Sequence, residues 1–177
     1  MTAVKYNGRT GAQAEDSLRL DDQLCFALYV TSHAVTKLYR PLLARVGLTY
    51  PQYLVLLVLW EGDRRTVSEL GDRLHLDSGT LTPLLKRLEA AGLVLRTRRS
   101  SDEREVEVTL TAEGRDLRRV VAEIRGAVVR DIRTPGGSSA EMLGNLQRLM
   151  EQICRVGERP AAPDGAAPSR RECPANA

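Results

Sequence analysis

The spacing of apolar residues changes at Gly92, and this change restricts the folds that the chain can adopt. Before Gly92 apolar residues recur every three or four positions, as expected for helices with one buried face; one such set is Leu81, Leu84, Leu85 and Leu88. After it, Glu105–Leu110 alternate strictly between polar and apolar, which indicates a half-buried strand. Residues 94–99 can pair with this strand across Ser100–Glu103. The sequence therefore predicts a mainly α protein with a small β-hairpin.

Polar residues mark the starts of three helices that precede this hairpin. Thr49 and Thr66 are each followed three residues later by Gln or Glu, which is the capping-box pattern. A further cap, at Asp77 or Ser78, opens the helix that carries the four leucines. A short helix, a tight turn, a second helix and a hairpin follow in the order of a winged helix-turn-helix. We expect this DNA-binding part to cover residues from about 49 to 111.

Helical periodicity also extends over two longer segments, about 17–46 and about 112–156, on either side of the DNA-binding part. Residues 1–16 are polar and residues 157–177 contain four prolines among alanines and charges, so neither end can bury a core. We expect a flexible N-terminal arm, one folded domain over 17–156, and a disordered C-terminal tail.

The composition excludes several classes of protein. With 26 Lys and Arg against 23 Asp and Glu, the net charge of +3 excludes a histone-like polycation but not a local basic patch. The longest apolar run, Tyr53–Trp60, is too short to span a bilayer, and no apolar secretory segment stands near the start. Three cysteines without a C-x-x-C pair and two histidines give no disulfide framework or zinc pattern. We expect a soluble cytoplasmic protein with no membrane contact, metal or cofactor.

The helix that begins near Asp77 buries its leucines and leaves hydroxyls and cations outward. Hydroxyls near a helix N-terminus can reach base edges, and cations one or two turns later can meet a phosphate or a guanine. An arginine of a basic hairpin can enter the minor groove, and Asp102 can orient Arg104. Unless these charges form only a solvated surface, the predicted DNA contacts are Ser78, Thr80, Thr82, Lys86, Arg87, Arg96, Arg98, Arg99 and Arg104, with Asp102 in support.

The sequence resembles the MarR family of winged helix-turn-helix transcriptional regulators. The resemblance covers most of residues 20–155 and is carried by Val67-Ser68-Glu69-Leu70, Leu81–Glu89, Gly92-Leu93-Val94, and Asp102-Glu103-Arg104 leading to Leu110-Thr111. It implies an obligate homodimer built from the first and last helices of both chains. Each chain would then place one recognition helix in half of a pseudo-palindromic operator.

Cys25 lies on the first predicted helix, with Tyr29 four residues later on the same face. A thiolate is the nucleophile that attacks a peroxide, and phenol hydroxyls can donate hydrogen bonds to its sulfur. Six of the seven aromatic residues fall in this part of the chain: Phe26, Tyr29, Tyr39, Tyr50, Tyr53 and Trp60. The same residues would also suit an ordinary core, since a helical cysteine often serves as a small apolar side chain.

Four blocks around these residues are similar to the organic hydroperoxide resistance regulators, the OhrR branch of the MarR family. They are Leu24–Tyr29, Tyr39–Leu43, Leu48–Tyr53 and Asp77–Pro83. The resemblance implies that Cys25 senses peroxide, that Tyr39 and Tyr50 hydrogen-bond it across the dimer, and that Tyr29 lies alongside. Oxidation of Cys25 to a sulfenic acid, followed by a disulfide with a second thiol, would release a repressor from operator DNA.

The second thiol stays open between Cys154 in the last predicted helix, Cys173 in the tail, and a small cellular thiol, which we favour. Other functions also stay open: a MarR-type regulator that responds to a phenolic or drug-like ligand without cysteine chemistry, a thiol peroxidase, and a protein-binding scaffold. The sequence opposes an enzyme, because it lacks a strand-rich thioredoxin-like pattern and places the cysteine beside a DNA-binding motif.

Overall fold

The computed structural model describes residues 18–99, 105–131 and 138–157. A 3₁₀ turn at Leu20–Asp22 precedes helices α1 (Leu24–Ala44) and α2 (Tyr50–Glu61), strand β1 (Arg65–Thr66), helices α3 (Val67–Leu74) and α4 (Ser78–Ala90), strands β2 (Val94–Arg98) and β3 (Val106–Leu110), and helices α5 (Ala112–Asp131) and α6 (Ser139–Gly157). The chain separates into two compact units after Asp131, and α6 belongs to the second. The predicted arm and all of the predicted tail except Gly157 lie outside the described residues.

Helix α1 begins later than predicted, because the 3₁₀ turn takes the place of its first residues, and it runs through Pro41 without a break. Leu43 is the one residue of α1 that is fully buried. Leu24 and Leu38, two of the large apolar residues of this helix, are 58% and 41% exposed. Most of the apolar face of α1 is therefore uncovered in a single chain.

The predicted helix caps are confirmed. The side-chain oxygen of Gln52 accepts hydrogen bonds from the backbone and hydroxyl of Thr49 at 2.8 and 2.9 Å. The hydroxyl of Thr66 accepts the backbone N–H of the third residue of α3 at 3.1 Å. Asp77, rather than Ser78, caps α4, since its carboxylate accepts a backbone N–H three residues later at 2.8 Å. These local hydrogen bonds satisfy N–H groups that a helix leaves free at its start.

The hairpin belongs to a three-stranded antiparallel sheet in the order β1-β3-β2, and the sequence analysis missed its third strand. Strand β2 pairs with β3 from Val94↔Leu110 to Arg98↔Val106, as the alternation predicted. Strand β1 has only two residues, which is too short for a period of two to be visible. Val94, Val108 and Leu110 are buried, so one face of the sheet packs on the helices.

Helix α4 packs through three fully buried leucines, Leu81, Leu85 and Leu88, whereas Leu84, also predicted to be buried, is only partly so. His75 ends α3 in the left-handed conformation at φ 52°, which makes the tight turn between α3 and α4 without a glycine. The predicted helix-turn-helix and hairpin are thus confirmed. In the described part of the chain, none of the helices combines the length and apolar character needed to cross a bilayer.

Hydrogen bonds and one close backbone contact around Gly114 form a joint that fixes the start of α5. Gly92 ends α4 at φ 71°, and its carbonyl accepts the hydroxyl of Thr111 at 2.7 Å. The Thr111 oxygen in turn accepts the backbone N–H of Gly114 at 3.0 Å. The indole N–H of Trp60 donates to the Gly114 carbonyl at 2.9 Å. A Cβ on Gly114 would collide with the carbonyl oxygen of Leu93. Helix α5 is therefore fastened both to α2 and to the base of the hairpin.

Candidate nucleic-acid interface and thiol site

Helix α4 presents the predicted hydroxyls and cations on the side opposite its buried leucines. Ser78, Thr80, Lys86 and Arg87 are exposed, and Thr82 is half-buried. Lys86 and Arg87 form no ion pair with any carboxylate of the described residues. Both cations are therefore available to an anion outside the chain.

The hydroxyl of Thr80 has a partner inside the chain. It donates to the second carboxylate oxygen of Asp77 at 3.0 Å, while the Thr80 backbone N–H donates to the first. These hydrogen bonds, the backbone one foremost, lower the pKa of Asp77. With its proton engaged by Asp77, the Thr80 oxygen keeps its capacity to accept a hydrogen bond.

The three described hairpin arginines differ in their partners, and two of them are already paired within the chain. The Arg96 backbone N–H and guanidinium reach the Glu89 carboxylate at 3.2 and 3.5 Å, and the Arg96 side chain is only 20% exposed. The Arg99 guanidinium reaches Glu105 at 2.9 Å and Glu107 at 3.4 Å. Arg98 is exposed and forms no ion pair among the described residues. Of the three, Arg98 alone matches the prediction of a cation free to contact DNA.

Asp102 and Arg104, the other predicted hairpin contacts, lie outside the described residues. The carboxylates that pair with Arg96 and Arg99 were not among the predicted site residues. The alternation of β3 was a usable signal for two of them, because it places Glu105 and Glu107 on the face opposite the buried valines.

Asp63 links the sheet to the start of α5. Its carboxylate accepts the backbone N–H of Leu110 at 2.9 Å, the guanidinium of Arg115 at 2.9 Å and the backbone N–H of Arg64 at 2.9 Å. Burial acts to raise the pKa of Asp63, but the hydrogen bonds outweigh it and the pKa lies below its usual value. The carboxylate therefore stays ionised and holds three segments of chain together.

Cys25 is exposed on α1, and one chain does not bring it to the predicted phenols. Tyr29 lies one turn further along and is also exposed, with its ring 4.3 Å from that of His33. Tyr39 follows Cys25 by fourteen residues on the same unbroken helix, which separates them by about 21 Å along the axis. Only a second chain can place Tyr39 beside this sulfur.

Tyr39 and Tyr50 pack together at the far end of α1. Their ring centroids are 5.2 Å apart, and Tyr53 completes a cluster at 5.5 Å from Tyr39 and 5.9 Å from Tyr50. Burial, with help from the neighbouring Tyr39, raises the pKa of Tyr50 and raises that of Tyr53 to about 12. These two phenols are thus fully protonated near neutral pH. Tyr53, 3% exposed, is a member of the cluster that the predicted site residues omitted.

A groove of about 620 Å³ opens between α1 and the start of α2, beside this cluster. It is lined by apolar residues and by cationic ones, among them Lys37, Arg40, Ala44, Leu48, Tyr50 and Pro51. Cys154 lies exposed on α6, and Cys173 falls outside the described residues. No group of three or more His, Cys, Asp or Glu side chains that could hold a metal occurs in the part of the chain that the structure describes.

Comparison with known proteins identifies relatives that are regulators of transcription. Residues 37–120 match the family of transcriptional regulators SarA/Rot. The chain is 44% identical over 138 residues to the organic hydroperoxide resistance transcriptional regulator of Bacillus subtilis (strain 168), covering 78% of this chain and 94% of that protein. It is 61% identical over 142 residues to the HTH-type transcriptional regulator TtmR of Methylorubrum extorquens (strain PA1), covering 80% of this chain and 69% of TtmR.

Among solved structures the fold is similar to that of AbfR of Staphylococcus epidermidis. Reduced AbfR bound to DNA aligns with a TM-score of 0.70 and 36% identity, covering 80% of this chain and 96% of AbfR. A disulfide form of AbfR aligns with a TM-score of 0.58 over 80% of this chain and 97% of AbfR. The two forms give AbfR a DNA-bound reduced state and an oxidised state.

Proposed function

This chain belongs to the MarR family of transcriptional regulators, in the branch of the organic hydroperoxide resistance regulators, and on that basis we propose that it represses transcription and leaves its operator when an organic hydroperoxide oxidises Cys25. It is a transcriptional regulator and not an enzyme. The observation that carries the sensing proposal is the packed pair of phenols, Tyr39 and Tyr50, on the helix pair that also bears an exposed cysteine.

Operator DNA is the proposed partner of α4 and the hairpin. The proposed contacts are the outward residues of α4, Ser78, Thr80, Thr82, Lys86 and Arg87, together with Arg98 and with Arg104 supported by Asp102. The DNA-bound structure of reduced AbfR supports this assignment. The two recognition helices of a dimer would enter successive major grooves, about 34 Å apart.

The proposed regulator is a homodimer with two composite sensors. Apolar side chains of α1 are uncovered in one chain, and α6 carries its own exposed apolar stripe of Leu143, Leu146, Met150 and Ile153. A second copy can cover such surface. If the two-fold axis lies perpendicular to α1, the two α1 helices run in opposite directions, and Cys25 of one chain would lie near Tyr39 and Tyr50 of the other.

The proposed chemical step transfers one oxygen atom. The Cys25 thiolate attacks the terminal oxygen of the hydroperoxide, an S–O bond forms, the O–O bond breaks, and the alcohol leaves after taking up a proton. Sulfur is oxidised by two electrons and the peroxide is reduced. The sulfenic acid then condenses with a second thiol, from Cys154, Cys173 or a small cellular thiol, to give a disulfide and water.

Release of DNA follows from the loss of the phenol contacts. A hydrogen bond to a charged group contributes about 1.5–3 kcal/mol, and a disulfide sulfur no longer carries the charge. The dimer interface would then repack around the new partner and move the recognition helices off their spacing. Burial keeps the Tyr50 phenol protonated, which supports its role as a donor to the thiolate.

Removing the phenol hydroxyls is expected to slow oxidation of the sulfur. Tyr39→Phe and Tyr50→Phe should each lower the rate of Cys25 oxidation by about tenfold, since each deletes one donor to the thiolate. The measurement is mass spectrometry of Cys25 over time after limiting cumene hydroperoxide, which also identifies the second thiol. Tyr53→Phe is the comparison variant, because its hydroxyl is not assigned to the sulfur and acts only through its hydrogen bond to Tyr39, so its effect should be smaller. Wild-type rates of Cys25 oxidation in both variants would mean that the two tyrosines only pack and do not assist the sulfur.

A second candidate function rests on the groove between α1 and α2. A cavity of about 620 Å³ with apolar walls and the cations Lys37 and Arg40 has the size and lining of a site for a small phenolic or drug-like acid. Under this alternative Cys25 is inert, and the ligand alone releases the DNA. The serine variant of Cys25 separates the two functions.

A further inference from the structure

Glu107 occupies the centre of the exposed sheet face and holds an arginine on each side. In the register of the sheet, Glu107 lies opposite Thr66 of β1 and Thr97 of β2. Arg99, two positions beyond Thr97, is the diagonal neighbour of Glu107 on the same face, and Arg64 directly precedes β1. Their guanidinium groups reach the Glu107 carboxylate at 3.3 and 3.4 Å. The Glu107 side chain is only 13% exposed, so one partly buried carboxylate joins the two outer strands.

Arg99 is held a second time, at the outer end of the hairpin. Its guanidinium contacts the Glu105 carboxylate at 2.9 Å, and its backbone N–H donates to the Glu105 carbonyl at 3.0 Å. Two carboxylates therefore face Arg64 and Arg99 in one cluster without net charge. The carboxylates of Glu105 and Glu107 engage Nη1 and Nε of Arg99, and their negative charges offset the positive charge that Arg99 would offer to a phosphate.

Arg98 points to the other face of the hairpin. Successive strand residues alternate between faces, so Arg98 shares the face of Val94 and Arg96. That face is covered by α4, since Val94 is fully buried and Arg96 hydrogen-bonds to Glu89 of α4. Arg98 lies beyond these contacts, exposed on the same side as the proposed recognition helix.

We propose that the adjacent arginines Arg98 and Arg99 have different roles: Arg98 contacts DNA, and Arg99 is a positioning residue through which Glu107 sets the orientation of the hairpin. The inference rests on the proposed operator binding. It divides the basic residues of the hairpin into those that contact DNA and those that hold the hairpin in place. Sequence alone assigned both arginines to DNA, because both are cations in one basic hairpin.

The Glu107 cluster continues toward α5 through Arg64. Arg64 adopts a left-handed backbone at φ 65°, which is unusual for a residue other than glycine. Its backbone N–H donates to Asp63 at 2.9 Å, and its side chain reaches Glu107. Asp63 also holds the Leu110 backbone and Arg115. The orientation of the hairpin is thus tied to the first turn of α5.

The test compares salt dependence and affinity of the reduced full-length protein for DNA. The probe is a duplex of about thirty base pairs, selected by the wild-type protein from a random pool, and binding is measured by fluorescence anisotropy at several salt concentrations. The plot of log K against log salt has a negative slope, and each lost phosphate contact reduces the magnitude of that slope by about 0.9. Arg98→Gln should lower the slope of the dimer by about 2, since each chain loses one contact.

Glu107→Gln gives the sharper result, because an effect of net charge and an effect of positioning would change the affinity for DNA in opposite directions. Removing a carboxylate near DNA would strengthen binding if only net charge mattered. Loss of the positioning contacts should instead weaken binding by about fivefold with the slope unchanged. Arg99→Lys keeps the charge but loses the planar guanidinium that contacts Glu105 and Glu107 through two different nitrogens, and it should reproduce this loss even if Glu107→Gln fails to fold.

Two results would overturn the inference: binding by Glu107→Gln or Arg99→Lys at wild-type strength or better, or a fall in slope for Arg99→Gln equal to that of Arg98→Gln. The unfolding midpoint and the rate of Cys25 oxidation serve as controls for each variant, because the hairpin lies outside the thiol site. A wild-type protein that shows no salt-dependent binding to any duplex would overturn the proposed operator binding itself, which is a separate failure.

Discussion

Cys25→Ser is expected to bind operator DNA like the wild-type protein and to stay bound when an organic hydroperoxide is added. An alcohol is not ionised near neutral pH and does not attack a peroxide, so the first chemical step is lost. Cys25 is exposed in the single chain, and serine has nearly the same shape, so the fold should persist. A full switch requires about 5.5 kcal/mol of differential binding, or about 10⁴-fold in affinity, and the variant should lose all of it.

The measurement is anisotropy of labelled operator DNA during titration with cumene hydroperoxide, with and without a low-molecular-weight thiol. Cys154→Ser is the matched control, because it replaces another exposed helical cysteine. If a small cellular thiol is the partner of Cys25, Cys154→Ser should still release DNA. If Cys154 itself is the partner, mass spectrometry of this variant should show no disulfide. Undiminished release of DNA from Cys25→Ser would favour the ligand-responsive regulator, with the groove between α1 and α2 as its site.

Gly114→Ala is expected to lower the free energy of unfolding by about 3 kcal/mol or to prevent folding. The new Cβ would collide with the backbone carbonyl of Leu93, and a backbone atom cannot turn aside as a flexible side chain can. The collision would also strain the hydrogen bonds from Thr111 and Trp60 at the same joint. Trp60 is the single tryptophan of the chain, so its fluorescence reports the joint during urea unfolding.

Gly144→Ala is the matched control for this prediction. Gly144 is also helical, but the nearest atom to its added Cβ would be a side-chain nitrogen of Arg148 at 3.7 Å, an ordinary contact. In an open helical position alanine stabilises by up to about 1 kcal/mol relative to glycine. Equal unfolding midpoints for the two variants would contradict the close approach of α5 to Leu93.

Those parts of the fold that depend on neighbours in sequence could be predicted. The caps at Thr49, Thr66 and Asp77 each join residues three apart, and the β2–β3 pairing follows from alternation across a short turn. The missed elements depend on distant residues. Strand β1 contains two residues and exists only because β3 lies beside it, and the joint at Gly114 pairs residues more than fifty positions apart.

The candidate sites divide in the same way. Burial of the α4 leucines predicted which side of that helix faces outward, and the exposed Lys86 and Arg87 agree with it. A count of cations could not separate Arg99 from Arg98, which has no ion pair among the described residues, because it ignores the carboxylates that alternation places on the Arg99 face. The Arg64–Glu107 contact spans 43 positions of sequence, so no local pattern predicts it. The proposed thiol site combines residues of two chains, so the sequence pattern of one chain identifies its residues without showing how they come together.

The distance between Cys25 and Tyr39 along a single unbroken helix has a genetic consequence. A Cys25→Ser allele still supplies both phenols, and an allele with Tyr39→Phe and Tyr50→Phe still supplies the sulfur. In a cell that expresses both, each mixed dimer contains one complete sensor and one that lacks every reactive part. Two unresponsive alleles should therefore complement each other, whereas a sensor housed within one polypeptide would leave every combination silent.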